Sequence, residues 1–201
     1  MINETTIELS LEALRAGDRV EFARMVDAYS VPIYRLGLKM LGNTQDAEDV
    51  LQNTFLNAFT HLANFEGRSS ISTWLYRIAA NEALMTIRRH KSNINIEDLQ
   101  IEDSDDEIMP ASFVDWSILP ENELLSGESK KALDSAIQKL PESLRMVFVL
   151  RDVEDLSIRE TAEILNLTEV NVKTRLLRAR MALREQLSTY YGERTLRKEK
   201  Q

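Results

Sequence analysis

Residues 156–183 read LSIRETAEILNLTEVNVKTRLLRARMAL, and this stretch decides the fold of the C-terminal part of the chain. Ser157 opens a Ser-x-x-Glu capping box, which predicts that a short helix starts there. The turn 166–168 follows, and a longer basic helix is expected from Glu169 to about Gln186. A short helix, a tight turn and a longer basic helix are typical of a helix-turn-helix.

The longer helix has two chemically different sides on a helical wheel. Apolar residues recur on one side, which is therefore predicted to be buried; they are Val172, Leu176, Ala179 and Leu183. The outward positions are Val170, Thr174, Leu177, Arg178 and Met181, and the flanking cations are Lys173, Arg175 and Arg180. Such a side suits the floor of a DNA major groove, with cations toward the phosphates. It also fits an amphipathic bundle helix whose basic side is merely solvated.

Charge is unevenly distributed along the chain. The net charge of the 201 residues is −8, but residues 93–125 carry ten acidic side chains and no basic one. Residues 168–201 carry nine basic and four acidic side chains, and residues 88–91 (RRHK) form a second basic cluster. Binding to nucleic acid needs local positive potential rather than a positive total, so the net charge does not exclude it.

The composition argues against several kinds of site. With no cysteine and only two histidines, the chain has neither a disulfide scaffold nor a cysteine-ligated metal centre, and we expect no metal and no cofactor. No apolar run reaches the ~20 residues that span a bilayer, and the N-terminus lacks a signal pattern. We therefore expect no membrane insertion and a cytoplasmic location. No carboxylate is spaced with a histidine, a serine or a glycine-rich phosphate loop as in an enzyme.

Glycine and proline are scarce, and no strand pattern is evident, which favours an all-α fold. Low hydrophobicity and charge of one sign are typical of a linker. We therefore expect two small helical domains, residues 1–92 and 126–190, joined by the acidic flexible linker 93–125. A charged tail, 191–201, is expected to be disordered from Arg194 onward.

Apolar spacing and capping residues predict the individual helices. A long helix carries an apolar stripe over residues 22–40 and is expected to kink at Pro32. Gly42 is expected to end it, and Thr44 to cap the next helix. Further helices are expected from about Ser72 to Lys91 and from Glu142 to about Val153.

Three segments of the chain resemble motifs of one protein family. Residues 156–165 and 172–180 resemble the last helix-turn-helix of bacterial sigma-70-family factors of the small extracytoplasmic-function (ECF) type. Residues 46–55 (DAEDVLQNTF) resemble the segment with which these factors grip RNA polymerase. Residues 65–83 (FEGRSSISTWLYRIAANEA) resemble their promoter-melting loop and helix. The motifs stand in the family's order and cover nearly all of residues 5–190.

The resemblance implies a non-enzymatic initiation factor that binds core RNA polymerase and directs it to promoters. Its C-terminal domain would read the −35 element as duplex DNA. The side chains facing bases would be Lys173, Thr174, Leu177 and Arg178, and those facing phosphates would be Arg175 and Arg180. Val170 and Asn171 stand where many relatives have glycine and threonine, and Leu177 stands where many have an aromatic residue or histidine. Because of these differences, the −35 sequences that relatives recognise are not expected to apply to this chain.

The resemblance also implies that the N-terminal domain binds the −10 element as a single strand. The loop would form a pocket for an unstacked base, and Asn81 would hydrogen-bond base edges. The loop residues are Phe65, Gly67, Arg68, Ser69 and Ser70, and the residues that hold the DNA backbone are Arg77, Arg88, Arg89 and Lys91. Trp74 and Tyr76 either stack against the strand or pack in the core.

Contacts with the polymerase follow from the same resemblance. Exposed polar residues would meet the clamp helices of the β′ subunit; they are Asp46, Glu48, Asp49, Gln52 and Asn53. The acids among them also stabilise the first turn of their helix. The β flap is a further expected contact, and the acidic linker would either thread a basic polymerase channel or act as a disordered spacer. The family implies regulation by an anti-sigma factor.

Two other classes of function remain open on the residues alone. A helix-turn-helix repressor or activator, such as a response-regulator-like dimer, would bind duplex DNA without polymerase. The first domain, however, lacks the alternating strands and helices of a receiver. A helical adaptor would show no salt-dependent affinity for DNA. An enzyme is the weakest interpretation.

Overall fold

The computed structural model describes residues 9–92 and 127–198, and every regular element in these ranges is helical. The α-helices are α1 (Leu11–Arg15), α2 (Arg19–Leu41), α3 (Thr44–His61), α4 (Ile71–Ser92), α5 (Gly127–Lys139), α6 (Glu142–Phe148), α7 (Ile158–Leu165) and α8 (Glu169–Lys198). A 3₁₀ turn, Leu62–Asn64, follows α3, and a π-helical turn, Val149–Val153, follows α6. The predicted all-α fold is confirmed, while the acidic linker lies outside the described residues.

Side chains and a glycine set the ends of the N-terminal helices. Asp18 caps α2 by accepting hydrogen bonds from two backbone N–H groups, and α2 ends at Gly42, whose φ of +78° is left-handed. Asn43 then caps α3 by accepting from the N–H of Asp46 at 2.8 Å. The prediction that Thr44 is the cap is therefore wrong by one residue, because the left-handed Gly42 brings the chain into α3 one position earlier. The helix α2 continues through Pro32.

Gly37 lies where α2 passes close to α3. A Cβ atom at Gly37 would lie 3.2 Å from the Cα and 3.3 Å from the carbonyl oxygen of Ala47. Glycine and alanine at this point let the two backbones approach more closely than larger side chains allow. The neighbouring side chains of Leu36 and Met40 are fully buried, so the crossing forms part of the core.

The helix-turn-helix has the predicted local structure. Ser157 Oγ accepts from the N–H of Glu160 at 3.1 Å, and the Glu160 carboxylate accepts from the N–H of Ser157 at 2.8 Å, which completes the capping box. Helix α7 ends at Asn166, which adopts a left-handed φ of 54°. The four predicted core residues of α8 are buried; they are Val172, Leu176, Ala179 and Leu183.

Two helix ends differ from the sequence predictions. The helix predicted from Glu142 to about Val153 is α-helical only as far as Phe148 and is then π-helical. Helix α8 does not stop near Gln186 but continues to Lys198, through most of the tail predicted to be disordered. Leu187 is buried and extends the apolar stripe by one turn. The residues that follow contain no proline, and the helix continues through Gly192.

The two described parts of the chain, residues 9–92 (the N-terminal half) and residues 127–198 (the C-terminal half), pack against each other. Helix α7 packs on α4, while α5, α6 and the π-helical turn pack on α2. The buried apolar residues of both halves belong to one continuous cluster. The first helix of the helix-turn-helix thus faces the N-terminal half, while α8 packs on α5, α6 and α7.

We expect Gly37→Val to destabilise the folded chain by about 1–3 kcal/mol, because the added side chain has no room beside the Ala47 backbone. Thermal denaturation followed by far-UV circular dichroism measures this effect. Ala23→Val is the matched control, since Ala23 is exposed on the same helix. An unchanged melting temperature for Gly37→Val would show that the close approach of α2 and α3 is dispensable.

Candidate nucleic-acid and polymerase interfaces

The packing of α8 determines which of its side chains face outward. Val172, Ala179 and Leu183 are 0% exposed against the other C-terminal helices. On the opposite side, Val170 and Met181 are 68% and 43% exposed. Along the helix between Val170 and Met181 lie three partly exposed side chains, those of Thr174, Leu177 and Arg178. The outward side therefore combines a hydroxyl, a guanidinium and apolar groups, as the helical wheel predicted.

The flanking cations of α8 have different surroundings. Lys173 is exposed and Arg175 is half-buried. Arg180 donates two hydrogen bonds to Asp152 of the π-helical turn, at 2.8 Å from Nε and 2.7 Å from Nη2. These hydrogen bonds raise the pKa of Arg180. A phosphate contact by Arg180 would have to share or replace this carboxylate.

The loop before α4 is tied to α1, a helix that the sequence analysis did not predict. Arg15 Nε donates to the carbonyl oxygen of Phe65 at 2.7 Å. Gly67 has a φ of +76°, and a Cβ atom there would lie 3.1 Å from the side chain of Leu11. Glycine therefore suits both the backbone conformation and the close approach. Arg68 forms an ion pair with Glu66 within the loop.

The aromatic residues next to the loop pack inward. Phe65 is 8% exposed, and its ring centroid lies 4.8 Å from that of Trp74, which is half-buried. Ser70 Oγ accepts from the N–H of Thr73 at 3.0 Å and so caps the start of α4, while Ser69 is half-buried. The ring of Phe65 thus lines the inner side of the loop, and polar groups form the outer surface of the loop.

The polar residues of α4 fall into two groups. Asn81, Arg88 and Arg89 are exposed. Arg77 and Lys91 instead contact the C-terminal half: Arg77 Nη2 donates to the carbonyl oxygen of Glu163 at 3.1 Å, and Lys91 Nζ lies 2.5 Å from Glu142 Oε1.

Tyr76 packs between the two halves rather than on the surface. It is 4% exposed, and its hydroxyl donates to the Glu154 carboxylate at 3.0 Å. Burial, reinforced by the Glu154 charge, raises the pKa of Tyr76, so the hydroxyl stays protonated as a donor. In this arrangement the ring does not face solvent.

An exposed face of α3 combines polar and apolar side chains. Glu48, Asp49 and Gln52 are exposed, while Asp46 and Asn53 are half-buried. One and two turns further along the same face, Leu56 and Phe59 are 65% and 59% exposed. The sequence analysis did not single out this pair. The sequence signal for this pair is that both residues fall outside the apolar stripe of α3, which is formed by Leu51, Phe55, Ala58 and Leu62.

In residues 9–92 and 127–198, no group of three or more His, Asp or Glu side chains is arranged to hold a metal ion. In those same ranges, no helix has the length and apolar character needed to cross a bilayer.

Comparison with known proteins gives matches over both halves. Residues 25–93 match the family "Sigma-70 region 2", and residues 130–183 match "Sigma-70, region 4". The ECF RNA polymerase sigma factor SigW of Bacillus subtilis is 38% identical over 184 residues, which cover 92% of this chain and 98% of that protein. The ECF RNA polymerase sigma-E factor of Haemophilus influenzae is 32% identical over 180 residues, 90% of this chain and 94% of that one.

Two solved structures share the fold. The sigma factor RpoE of Bartonella quintana, in complex with the anti-sigma factor NepR, aligns with a TM-score of 0.63 and 21% identity over 84% of this chain and 97% of that one. CnrH, in complex with the cytosolic domain of CnrY, aligns with a TM-score of 0.62 and 20% identity over 89% of this chain and 95% of that one. Together with the relatives above 30% identity, these matches show that the chain belongs to the ECF RNA polymerase sigma factors of the sigma-70 family.

Proposed function

We propose that this chain is a promoter-specificity factor that reads a duplex −35 element with the outward side of α8. The observation that carries the proposal is the orientation of α8, which buries Val172 and Ala179 and leaves Thr174 and Arg178 on the opposite side. An arginine can donate two hydrogen bonds to a guanine edge, and a threonine or leucine methyl group can meet a thymine methyl group. Lys173 and Arg175 supply positive charge toward the phosphates.

The N-terminal half is proposed to hold the −10 element as a single strand. Asn81, Arg88 and Arg89 are exposed on α4 and offer an amide for base edges and cations for the backbone. The loop 65–70 adds small polar residues over an aromatic wall made by Phe65 and Trp74. A base that leaves the stack needs such a combination of polar edges and a ring surface.

The exposed face of α3 is proposed to bind the clamp helices of the polymerase β′ subunit. Asp49 and Gln52 supply charge and hydrogen-bonding groups, and Leu56 and Phe59 supply apolar area next to them. An apolar centre with a polar rim is the usual composition of a protein interface. We propose the β flap as the second polymerase contact, made by the C-terminal half.

The chain is further proposed to act in the cytoplasm, without a catalytic step, and under control of an anti-sigma factor. Membership of a family of initiation factors supports the first two points. The third is supported by the two solved structures that share this fold. In one, RpoE is in complex with the anti-sigma factor NepR, and in the other, CnrH is in complex with the cytosolic domain of CnrY.

The direct test is binding of the purified chain to bacterial core RNA polymerase, followed by run-off transcription on a pool of genomic promoters. We expect a stable complex and new start sites preceded by two shared sequence elements. A chain that fails to bind core polymerase from its own source would refute the proposed function. Duplex binding without polymerase would then favour a repressor.

Arg178→Ala is expected to weaken transcription from the chain's own promoters by roughly tenfold to a hundredfold, the equivalent of about 1–3 kcal/mol of base discrimination. Binding to core polymerase should change little, because Arg178 lies on the outward side of α8 and not on the α3 face that is proposed to bind the clamp helices. Run-off transcription and co-elution with core polymerase give the two readouts. Lys139→Ala, an exposed cation at the end of α5, is the control. Wild-type transcription by Arg178→Ala would show that Arg178 does not read bases.

Asp49→Asn is expected to weaken the complex with core polymerase several-fold, because it removes one charge from the proposed clamp-binding face. Asp49 is exposed, so the melting temperature should stay unchanged. Asp27→Asn is the matched control, since Asp27 is exposed on α2. Titration of labelled protein with core polymerase measures the affinity, and equal affinities for the two variants would contradict the assignment of this face.

A further inference from the structure

Helix α1 is short, yet it is fixed to the rest of the N-terminal half at both ends. Ahead of the helix, the backbone N–H of Ser10 donates to Glu21 Oε1 of α2 at 2.6 Å. Leu14 of the helix is 1% exposed, and just after the helix Gly17 turns the chain with a φ of +78°. A five-residue helix is not stable alone in water, so these contacts hold α1 in place.

Two side chains one turn apart on α1 contact the loop 65–70. Arg15 Nε donates to the carbonyl oxygen of Phe65 at 2.7 Å. A Cβ atom at Gly67 would lie 3.1 Å from Leu11 Cδ2 and 3.4 Å from Arg15 Nη2, so both side chains lie against the backbone at that glycine. Residues at i and i+4 share one face of a helix, and this face of α1 therefore contacts the loop at two points.

The loop is attached to α4 only near its two ends. At one end, the ring centroid of Phe65 lies 4.8 Å from that of Trp74. At the other end, Ser70 Oγ accepts from the N–H of Thr73 at 3.0 Å. Gly67 lies between these attachments and is contacted by α1 instead. Helix α1 therefore restrains the middle of the loop, where its polar groups would meet a base.

A pocket for an unstacked base binds best if its shape exists before the base arrives. A loop that becomes ordered only on binding loses conformational entropy, and this loss lowers the affinity. Groups that bind a ligand are held most accurately when other side chains fix the backbone that carries them. Arg15 is exposed, so its hydrogen bond contributes little to the stability of the fold and its removal should leave the domain folded.

We propose that α1 positions the loop 65–70 for the −10 strand, with Arg15 and Leu11 as positioning residues. Neither residue touches the DNA. Together they set the path of the backbone from Phe65 to Gly67, and the polar groups of the loop receive the base. This inference rests on the proposed function for the identity of the ligand, whereas the restraint of the loop by α1 is a property of the free chain.

The competing explanation is a direct contact between the Arg15 cation and a DNA phosphate. Arg15→Gln separates the two roles, because the glutamine amide nitrogen is as many bonds from Cα as arginine Nε but carries no charge. This variant can still donate to the carbonyl oxygen of Phe65, but it cannot neutralise a phosphate. Leu11→Ala is a second test, since it disturbs the loop without any change of charge.

The first readout is the accessibility of Trp74 in the free chain, without polymerase or DNA. The chain has two tryptophans, so Trp116→Phe leaves Trp74 as the only one. In this background we expect Arg15→Ala and Leu11→Ala to raise the acrylamide quenching constant of Trp74, because Phe65 is no longer held against its ring. Arg15→Gln should not raise it. A quenching constant that neither Arg15→Ala nor Leu11→Ala changes would overturn the proposal.

The matched control is Arg19→Ala. Arg19 is exposed at the first position of α2, so this variant removes the same charge four residues away from Arg15. Both readouts should equal those of the parent chain. Thermal denaturation followed by circular dichroism checks the fold of each variant. If Leu11→Ala is unfolded, the comparison of Arg15→Ala with Arg15→Gln decides alone.

The second readout is DNA binding by the complex of the full chain with core RNA polymerase, measured by fluorescence anisotropy. The probe is a fluorescein-labelled single-stranded oligonucleotide that carries the −10 segment shared by the chain's own start sites. We expect Arg15→Ala to weaken binding by about twofold to tenfold, the effect of one lost hydrogen bond, and Arg15→Gln to bind as the wild type does. Among single-base variants of the probe, discrimination should fall at one position. A chain that is merely less stable would lose binding to every probe alike.

The outcomes separate positioning from its alternatives. Equal losses of affinity in Arg15→Ala and Arg15→Gln would assign Arg15 to a phosphate and overturn the positioning role. A change in Trp74 quenching without a change in DNA affinity would overturn it as well. If the wild-type chain binds neither core polymerase nor the probe, the proposed function fails, and the role of α1 toward DNA fails with it. The quenching experiment would still show whether α1 restrains the loop.

Discussion

Burial of one apolar stripe of α8 is the constraint on which the candidate −35 surface depends. Val172, Ala179 and Leu183 are completely buried, so the side chains half a turn away must face outward. The capping box at Ser157 fixes where the preceding helix starts, and Asn166 fixes where it ends. Local hydrogen bonds and a single apolar stripe thus orient the whole helix-turn-helix.

The local parts of the structure were predictable because their signals lie close together in the sequence. The capping box needs residues three positions apart, and the stripe of α8 needs residues three or four positions apart. The same logic failed at Thr44, where two adjacent polar residues could each cap α3 and only the left-handed Gly42 decides between them. It also failed at the end of α8, where charged residues were interpreted as a disordered tail.

Contacts between distant residues were not predictable from one sequence. Tyr76 and Glu154 lie 78 positions apart, and Arg35 and Glu154 lie 119 apart, so no periodicity connects them. Each of these residues alone resembles an ordinary surface charge or core ring. The exposed pair Leu56 and Phe59 was missed for a different reason. An apolar residue outside a stripe is common on protein surfaces and gives a weak signal.

The π-helical turn Val149–Val153 ties two distant parts of the molecule to a short stretch of backbone. Asp152 in this turn binds Arg180 of α8, and Glu154 just after it binds Arg35 of α2. The two carboxylates lie two positions apart, so the backbone of one short turn carries both contacts. A displacement of this turn would therefore be felt at the outward helix α8 and at the N-terminal helix α2 at the same time.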